Sequence, residues 1–300
     1  MSEKTSVAVN AGDSARITRE YFDSLLVELR TIDAVKASTE MELFGETFST
    51  PVMVAALSGL DRTRPGGMVD TAKGAAAAGA VMWTGIGGEA ELEALIATGA
   101  QTVKIIKPYA DLDLVFKKLE HAEKSGAIAV GMDTDYVFGG KNNKGFAMEH
   151  PVAPKTLNDI KSFVEATKLP FILKGILSER DAGKAMEAGA GGIVVSHHGG
   201  GVMDYAVPPL KVLPRIAKIV GKKIPIFVDC GVTRGMDAFK ALALGATAVS
   251  VGRAVMAGLS KDGADGVRRV LEDITEELRW AMNLTGSSEL ARIDPEVIWS

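Results

Sequence analysis

Eight short apolar runs recur along this chain, and segments with helical period separate them. Runs of this kind, rich in Val and Ile, are typical of parallel strands buried on both faces. They lie at 52–56, 81–84, 103–106, 128–132, 171–174, 193–195, 224–228 and 248–251. Helices are predicted between them, at about 67–79, 88–98, 112–125, 155–167, 178–189, 208–220 and 235–244, with a last one near 262–282. A strand and a helix repeated eight times predict the α/β class and, within it, a (β/α)8 TIM barrel.

Glycines follow the last turn of several predicted helices, as is common where a helix ends, at positions 79, 99, 126, 189 and 245. An open, doubly wound sheet is the alternative architecture. Such a sheet typically has fewer strands and a glycine-rich turn after the first one. Here the first turn reads Ser58-Gly59-Leu60-Asp61-Arg62, without that fingerprint. The repeat therefore favours the closed barrel.

Two segments fall outside the repeat. Residues 1–50 form a predicted N-terminal extension, with helical period over 17–30 and a short hairpin over 41–50 that would close the bottom of the barrel. Residues 51–300 form the predicted barrel domain. Its longest stretch without period, about 134–154, follows the fourth strand and contains Gly139-Gly140-Lys141. Long loops in compact domains are usually lids or disordered, and this position favours a lid over the barrel mouth.

Composition narrows the choice of partners. The formal net charge is -4 and the pI is near 5.7, so the chain has no global basic field to attract nucleic acid. No run of about 18 apolar residues occurs, and the first residues lack the layout of a signal peptide. The single cysteine, Cys230, cannot form an intramolecular disulfide. We expect a cytoplasmic protein with a small-molecule substrate and with neither a nucleic-acid nor a membrane partner.

Two side chains at predicted strand ends are candidates for catalysis, because barrels of this class carry their chemistry there. Lys174 ends the fifth strand, where its ammonium would lie on the barrel axis; the alternative is a lysine that points outward and pairs with a helix carboxylate. His198 follows the sixth strand, and the glycines after it leave room for a ligand. It is a candidate base, with a structural histidine as the alternative. His197 and His198 would point to opposite faces, so we predict no metal site.

Two later loops suit a phosphate group. Asp229-Cys230-Gly231-Val232-Thr233-Arg234-Gly235 follows the seventh strand, and Gly252-Arg253 follows the eighth and precedes a helix. In such barrels these two loops often bind phosphate, because backbone N–H groups and the helix dipole attract an anion. Glycine turns also simply end strands, so each loop alone is weak evidence. Together they favour a phosphorylated ligand.

The motifs at these positions resemble those of the FMN-dependent α-hydroxy acid oxidases and dehydrogenases. The family pattern is Lys-Gly-Ile, Ser-Asn-His-Gly-Gly-Arg-x-x-Asp, Asp-Gly-Gly-x-Arg-x-Gly-x-Asp, Leu-Gly-Ala and Gly-Arg. The corresponding segments here start at Lys174, Ser196, Asp229, Leu244 and Gly252. The match is dense from about residue 165 to 290 and weaker from about residue 40 onward. It implies a TIM barrel that binds FMN.

The resemblance also implies roles for individual residues. Lys174 would lie against the flavin ring and stabilise its reduced form, and His198 would take the substrate proton as a hydride reaches flavin N5. Asp133, at the end of the fourth strand, resembles the carboxylate that orients this histidine. The remaining cofactor contacts that the resemblance implies are Ser196, Asp229, Gly231, Thr233, Arg234, Gly252, Arg253, Thr84 and Lys104.

Several positions depart from the family pattern. Gly201 stands where the family has the arginine that grips the substrate carboxylate. The third-strand Gln-x-Tyr aligns with Lys104-Ile105-Ile106, so the substrate-contacting tyrosine is missing, and the phosphate-contacting arginine is Thr233 with Arg234 beside it. The lid lacks the second arginine, and Lys141 or Lys144 would have to supply a carboxylate partner from it. A lysine lacks the bidentate fork of arginine and would bind more loosely.

The predicted function is therefore oxidation of a hydroxy acid, or of a related alcohol, by an FMN-dependent oxidoreductase. One alternative is a non-redox FMN enzyme resembling type 2 isopentenyl diphosphate isomerase, which the missing clamp favours. Another is a flavin-free aldolase in which Lys174 forms a Schiff base. A third is a flavin-binding protein without catalysis. The family often forms tetramers, so the resemblance also implies a homo-oligomer.

Overall fold

The barrel closes as the sequence predicts. The structure, a computed structural model, describes residues 12–141 and 145–299. Eight parallel strands pair in chain order, and the last pairs with the first. They are β1 (Val52–Leu57), β2 (Met82–Thr84), β3 (Thr102–Ile106), β4 (Ala129–Asp133), β5 (Phe171–Ile176), β6 (Gly192–Val195), β7 (Ile226–Val228) and β8 (Ala248–Val251). The (β/α)8 fold is thereby confirmed.

Helices surround the barrel, and local sequence signals set several of their ends. The side chains of Asp111, Thr156 and Ser178 accept hydrogen bonds from the first turns of the helices that follow them. Gly126 ends one helix in the left-handed region, with φ at +88°, which glycine adopts without strain. The helices are α1 (Ser14–Ser24), α2 (Gly67–Ala77), α3 (Glu89–Ile96), α4 (Leu112–Ser125), α5 (Leu157–Glu165), α6 (Glu179–Glu187), α7 (Pro209–Val220), α8 (Gly235–Ala243) and α9 (Arg253–Leu284).

Two apolar layers lie on the two sides of the barrel wall. Alternate strand residues point into the barrel. There Trp83 packs edge-on against Phe227, and Val103 and Ile105 belong to the same inner cluster. Their neighbours, such as Ile106, point outward into the larger core beneath the helices. A shift of one residue along a strand therefore moves a side chain from one layer to the other.

The N-terminal segment contacts both ends of the barrel. The hairpin of Met41–Leu43 and Glu46–Phe48 adds its buried side chains to the inner core, at the end where the strands begin. Helix α1 lies at the opposite end, against the loops that follow β6 and β7. The expected helix over 17–30 ends at Ser24, because Leu26–Val27 instead pairs with Ile298–Trp299 as a short antiparallel sheet. That part of the helix prediction was wrong.

Helix α9 begins earlier than predicted, at Arg253, directly after the β8 loop. Its axis is interrupted at Asp262 and Gly263, where φ is -151° and +56°. The predicted helix near 262–282 is therefore only the second part of this element. Among the described residues, no helix combines the length and apolarity needed to span a membrane.

Candidate active site at the carboxyl ends of the strands

A buried cluster of alternating charges occupies the mouth of the barrel. At the end of β4, Asp133 lies between two ammonium groups: its Oδ2 accepts a hydrogen bond from Lys107 Nζ at 2.7 Å, and its Oδ1 lies 3.0 Å from Lys174 Nζ. Burial works to raise the pKa of the Asp133 carboxyl, but Lys174 and Lys107 outweigh it and hold that pKa well below its usual range. Asp133 is therefore a carboxylate whose charge the two lysines balance.

Lys174 points into this cluster from β5 and not toward the outer helices. Its ammonium also lies 3.5 Å from Asp229 Oδ2. Burial acts to lower the pKa of Lys174, but Asp133 and Asp229 act against it more strongly, so the net pKa is raised. A Schiff-base lysine needs a neutral amine, and this environment keeps the amine protonated. The geometry therefore argues against the aldolase alternative.

His198 lies beside the same carboxylates. Its Nδ1 is 3.1 Å from Asp135 Oδ1 and 3.7 Å from Asp133 Oδ1. The expected partner, Asp133, is thus within ion-pair range, but the hydrogen bond goes to Asp135, two residues later. Asp135 packs against Gly175, where φ is +99° and any side-chain carbon would lie 2.5 Å from the Asp135 carboxyl carbon. The glycine of Lys-Gly-Ile therefore leaves the space that Asp135 fills.

The segment after β4 covers this cluster with an aromatic ring. Tyr136 is buried, its ring centre is 5.3 Å from that of His198, and the Lys107 ammonium lies 3.9 Å from the centre of the same ring. Further along, the backbone N–H of Lys141 donates to Gly201 O at 2.9 Å, and the Lys141 ammonium pairs with Asp204. The proposed lid lysine thus already has a carboxylate partner. Lys144 lies outside the described residues.

The structure places Lys104, on the third strand, differently from the prediction. Val103 and Ile105 fill the barrel interior, so Lys104 and Ile106 lie on the outer side of the wall. The Lys104 ammonium donates to the carbonyl groups of Gly85 at 2.6 Å and Gly87 at 3.4 Å. The strand-three residue that reaches the charge cluster is Lys107, one residue beyond the strand. The placement of Lys104 does not support the predicted cofactor contact.

Thr84 shows the same one-residue shift on the second strand. Trp83 points into the barrel, so Thr84 points outward, and its buried hydroxyl has no hydrogen-bond partner in the described part of the chain. The next inward position is Gly85, where a side-chain carbon would lie 2.6 Å from the Ser58 hydroxyl. The prediction that Thr84 contacts the cofactor is not supported either.

The loop after β7 is held by a residue from the other end of the chain. Asp237 is fully buried, and its carboxylate accepts hydrogen bonds from the backbone N–H and hydroxyl of Thr233. Arg19 of α1 forms two hydrogen bonds of 2.9 Å to the same carboxylate and a third, of 3.1 Å, to Gly231 O. Arg19 thus supplies a bidentate guanidinium beside the loop in which Thr233 replaces the family arginine.

The predicted phosphate site retains donors for an anion. Within residues 12–141 and 145–299, the backbone N–H groups of Gly231 and Val232 have no acceptor, and the exposed Arg253 side chain has no carboxylate partner. Gly252 and Arg253 stand at the start of α9, where the first N–H groups of a helix lack intrahelical acceptors. Arg234 differs, because its exposed side chain pairs with Asp23 and approaches Asp237.

Three further residues, Ser196, His197 and Cys230, belong to the loops after β6 and β7. Cys230 has a φ of +69° at a position where the family pattern has glycine, and its thiol contacts Asp229 at 2.7 Å. Burial, followed by the Asp229 charge, raises the pKa of this thiol, so it stays protonated. Ser196 lies 3.5 Å from the same sulfur. His197 turns away from His198 and bonds Thr18 of α1 at 2.7 Å.

The ligand atoms of Asp133, Asp135 and His198 lie within 4.8 Å of one another. That spacing alone would suit a metal ion. However, both oxygens of Asp133 already face ammonium groups, and these repel a further cation. We therefore assign no metal to this cluster.

The comparisons with known proteins agree with this geometry. The sequence profile of the FMN-dependent dehydrogenase family matches residues 4–157 and 142–300. The chain belongs to that family. It is 31% identical to a 2-hydroxyacid oxidase of Dictyostelium discoideum, over 91% of this chain and 79% of that protein. It is 33% identical to a peroxisomal (S)-2-hydroxyacid oxidase of Arabidopsis thaliana, over 85% of this chain and 79% of that protein.

Solved structures of mandelate oxidase are similar over most of their length. The complex with (S)-2-phenylpropionate has a TM-score of 0.88 and 33% identity, over 95% of this chain and 89% of that one. A variant with a C4a-OH-FMN adduct gives the same TM-score and identity, over 95% and 91%. The chain is an FMN-dependent oxidoreductase. Its donors fit that cofactor: a buried ammonium at Lys174, and open backbone N–H groups with Arg253 for the phosphate.

Sequence reasoning missed four residues of this site: Lys107, Asp135, Tyr136 and Arg19. Lys107 lies one position beyond β3 and Asp135 two positions beyond β4, so inward alternation continued past the strand ends could have found them. Tyr136 follows in the lid, where no period exists. Arg19 carried no signal, because its contact with Asp237 joins segments 218 residues apart.

Proposed function

We propose that this protein oxidises a 2-hydroxy acid at the charge cluster, with His198 as the base. The contact between His198 Nδ1 and Asp135 carries the proposal. A ring nitrogen that faces two carboxylates keeps its proton, which leaves Nε2 as the nitrogen that can accept another. In the described residues His198 Nε2 has no hydrogen-bond partner.

The protein's own groups have separate tasks in this scheme. His198 accepts the hydroxyl proton of the substrate, and Asp135 and Asp133 stabilise the imidazolium that forms. FMN, when bound, would supply the acceptor for the Cα hydrogen and the two electrons that leave together as a hydride when the alcohol becomes a carbonyl. Lys174 contributes a fixed positive charge on the barrel axis that would stabilise the reduced cofactor, and the Tyr136 ring packs against His198.

Anaerobic reduction tests this function directly. Holoprotein is mixed without oxygen with glycolate, lactate and mandelate, and separately with neutral alcohols and reduced nicotinamides, while the visible flavin absorbance is followed. We expect a 2-hydroxy acid to bleach the flavin in the wild type. His198→Ala should retain FMN and lose this reduction. Protein that cannot be reconstituted with FMN, or holoprotein that no hydroxy acid reduces, would contradict the proposal.

The same panel separates the remaining alternatives. A non-redox FMN enzyme, or a flavin-binding protein without catalysis, would bind FMN fully and show no bleaching by any hydroxy acid. The relatives named above are hydroxyacid oxidases, which supports the redox assignment. The cytoplasmic location and the homo-oligomeric state stay predictions. Cell fractionation and light scattering of the purified holoprotein test them.

A further inference from the structure

We propose that Lys107 holds the carboxylate of the substrate in this protein, an assignment that rests on the proposed function. A hydroxy-acid site needs a cation or a strong donor for the acid group, since a carboxylate removed from water must be paired. Neither residue of the family clamp is present. Gly201 occupies the arginine position, and Ile106, aligned with the tyrosine, lies in the outer core.

The charges around Lys107 leave it able to bind an anion. Its ammonium has three N–H donors, and in the described residues its one hydrogen-bond acceptor is Asp133 Oδ2, at 2.7 Å. The Tyr136 ring, 3.9 Å away, faces the same ammonium. One N–H of the Lys107 ammonium therefore remains to bind a substrate carboxylate. Lys174 is less suitable, because its ammonium already faces both Asp133 and Asp229.

The position of Lys107 also fits the reaction. The ring of Tyr136 contacts both the Lys107 ammonium and the His198 ring. An acid group held by Lys107 would thus lie beside the base. Lys107 is 6% exposed, so its charge acts in a partly desolvated environment where it is screened little by salt.

Binding of a non-reacting carboxylate tests this assignment without turnover. Benzoate and benzamide are titrated into the wild-type holoprotein and into Lys107→Met and Lys107→Arg, and the perturbation of the flavin spectrum gives each Kd. Lys107→Met should weaken benzoate by about 10- to 100-fold, as expected for one lost charge-assisted hydrogen bond, and leave benzamide nearly unchanged. Lys107→Arg should recover most of the benzoate affinity. Lys161→Met, at a partly exposed lysine on α5 far from the charge cluster in sequence, is the control.

Kinetics separates a clamp from a purely structural role. If Lys107 only balanced the charge of Asp133, Lys107→Met would weaken benzoate and benzamide alike and would lower kcat as well. A clamp instead raises KM for the hydroxy acid more than it lowers kcat. Equal loss for both ligands, unchanged benzoate affinity in Lys107→Met, or wild-type protein that does not prefer benzoate to benzamide would overturn the assignment.

These experiments distinguish a failure of the proposed function from a failure of the Lys107 assignment. Flavin that no hydroxy acid bleaches, in a protein whose benzoate affinity still depends on Lys107, would contradict the proposed function and retain the anion site. Bleaching that persists in Lys107→Met with an unchanged KM would retain the function and overturn the clamp. Thermal unfolding of each holoprotein shows whether a variant is folded. Should Lys107→Met not fold, Lys107→Gln, which keeps a donor near Asp133, takes its place in the same titrations.

Discussion

Asp135 Oδ1 lies 3.1 Å from His198 Nδ1, and within the described residues no lysine forms an ion pair with this carboxylate. Asp133 is closely paired with both Lys107 and Lys174, whereas Asp135 Oδ2 is buried without a hydrogen-bond partner in the described part of the chain. The net negative charge next to the histidine therefore comes from Asp135. The imidazolium that forms when His198 accepts the substrate proton would lie next to this charge.

Replacing Asp135 by Asn tests this relationship. The amide oxygen can still accept from Nδ1, so the ring keeps its orientation while the charge is lost. A charge-assisted hydrogen bond is about 1 kcal/mol stronger than a neutral one, so we expect flavin reduction to slow by roughly 5-fold. Stopped-flow reduction under anaerobic conditions measures this rate. A rate within twofold of the wild type would assign the effect to Asp133 instead.

The alternation of side chains along a strand explains both the successes and the errors of sequence reasoning at this site. Lys174 is evident from the sequence because it ends a clear apolar run, and Asp133 is found through the resemblance to the family motifs. The third strand points to Lys104 and not to Lys107 when the family alignment, rather than the direction of the side chain, fixes its register. An offset of three residues reverses the side of the barrel wall. Arg19 has no such signal, since nothing local marks a helix residue that will pair with Asp237 across the fold.

Arg19 is predicted to set the affinity for FMN. Arg19→Met removes the guanidinium that holds both Asp237 and Gly231 O, and thus frees the loop that we assign to the cofactor phosphate. Loss of a partner from a buried pair is costly, so we expect the Kd for FMN to rise by at least about 10-fold. Quenching of FMN fluorescence by apoprotein measures it.

The matched control for Arg19 is Arg16→Met, one turn earlier on α1, where the arginine pairs with the exposed Glu20. This change should leave FMN affinity close to that of the wild type. Arg19→Lys keeps a charge without the fork and should lie between the two. Equal FMN affinity in Arg19→Met and Arg16→Met would show that the loop is ordered without α1.

Lys104 should give the protein a pH-dependent stability at alkaline pH. Burial lowers the pKa of Lys104 to about 8, from 10.5 for an ordinary lysine, although the nearby Glu91 acts in the opposite direction. Below pH 8 the Lys104 ammonium is charged in both the folded and the unfolded chain, so the free energy of burying this charge destabilises the folded state. Between pH 8 and 10.5 the folded protein has lost this proton and the unfolded chain still binds it, so this group's contribution to stability rises with pH.

Lys104→Met isolates this contribution, because the substitution removes the titrating group. The free energy of unfolding of the wild type, relative to the variant, should rise by on the order of 3 kcal/mol across that interval. Urea unfolding at several pH values measures it. A difference that stays constant with pH would show that Lys104 keeps an ordinary pKa.

Restoring an arginine at Gly201 should strengthen the binding of carboxylates. Gly201 has helical backbone angles, with φ at -75°, so a side chain causes no backbone strain there, although its first carbon would lie 3.1 Å from the His198 carbonyl oxygen. The position is exposed and follows His198 by three residues, which lets a long side chain reach the mouth. A second cation with a bidentate fork should tighten benzoate by about 10-fold in the holoprotein and leave benzamide unchanged. Gly201→Met, similar in length and uncharged, is the control. If Gly201→Arg and Gly201→Met change the benzoate Kd equally, a side chain at position 201 does not contact the bound carboxylate.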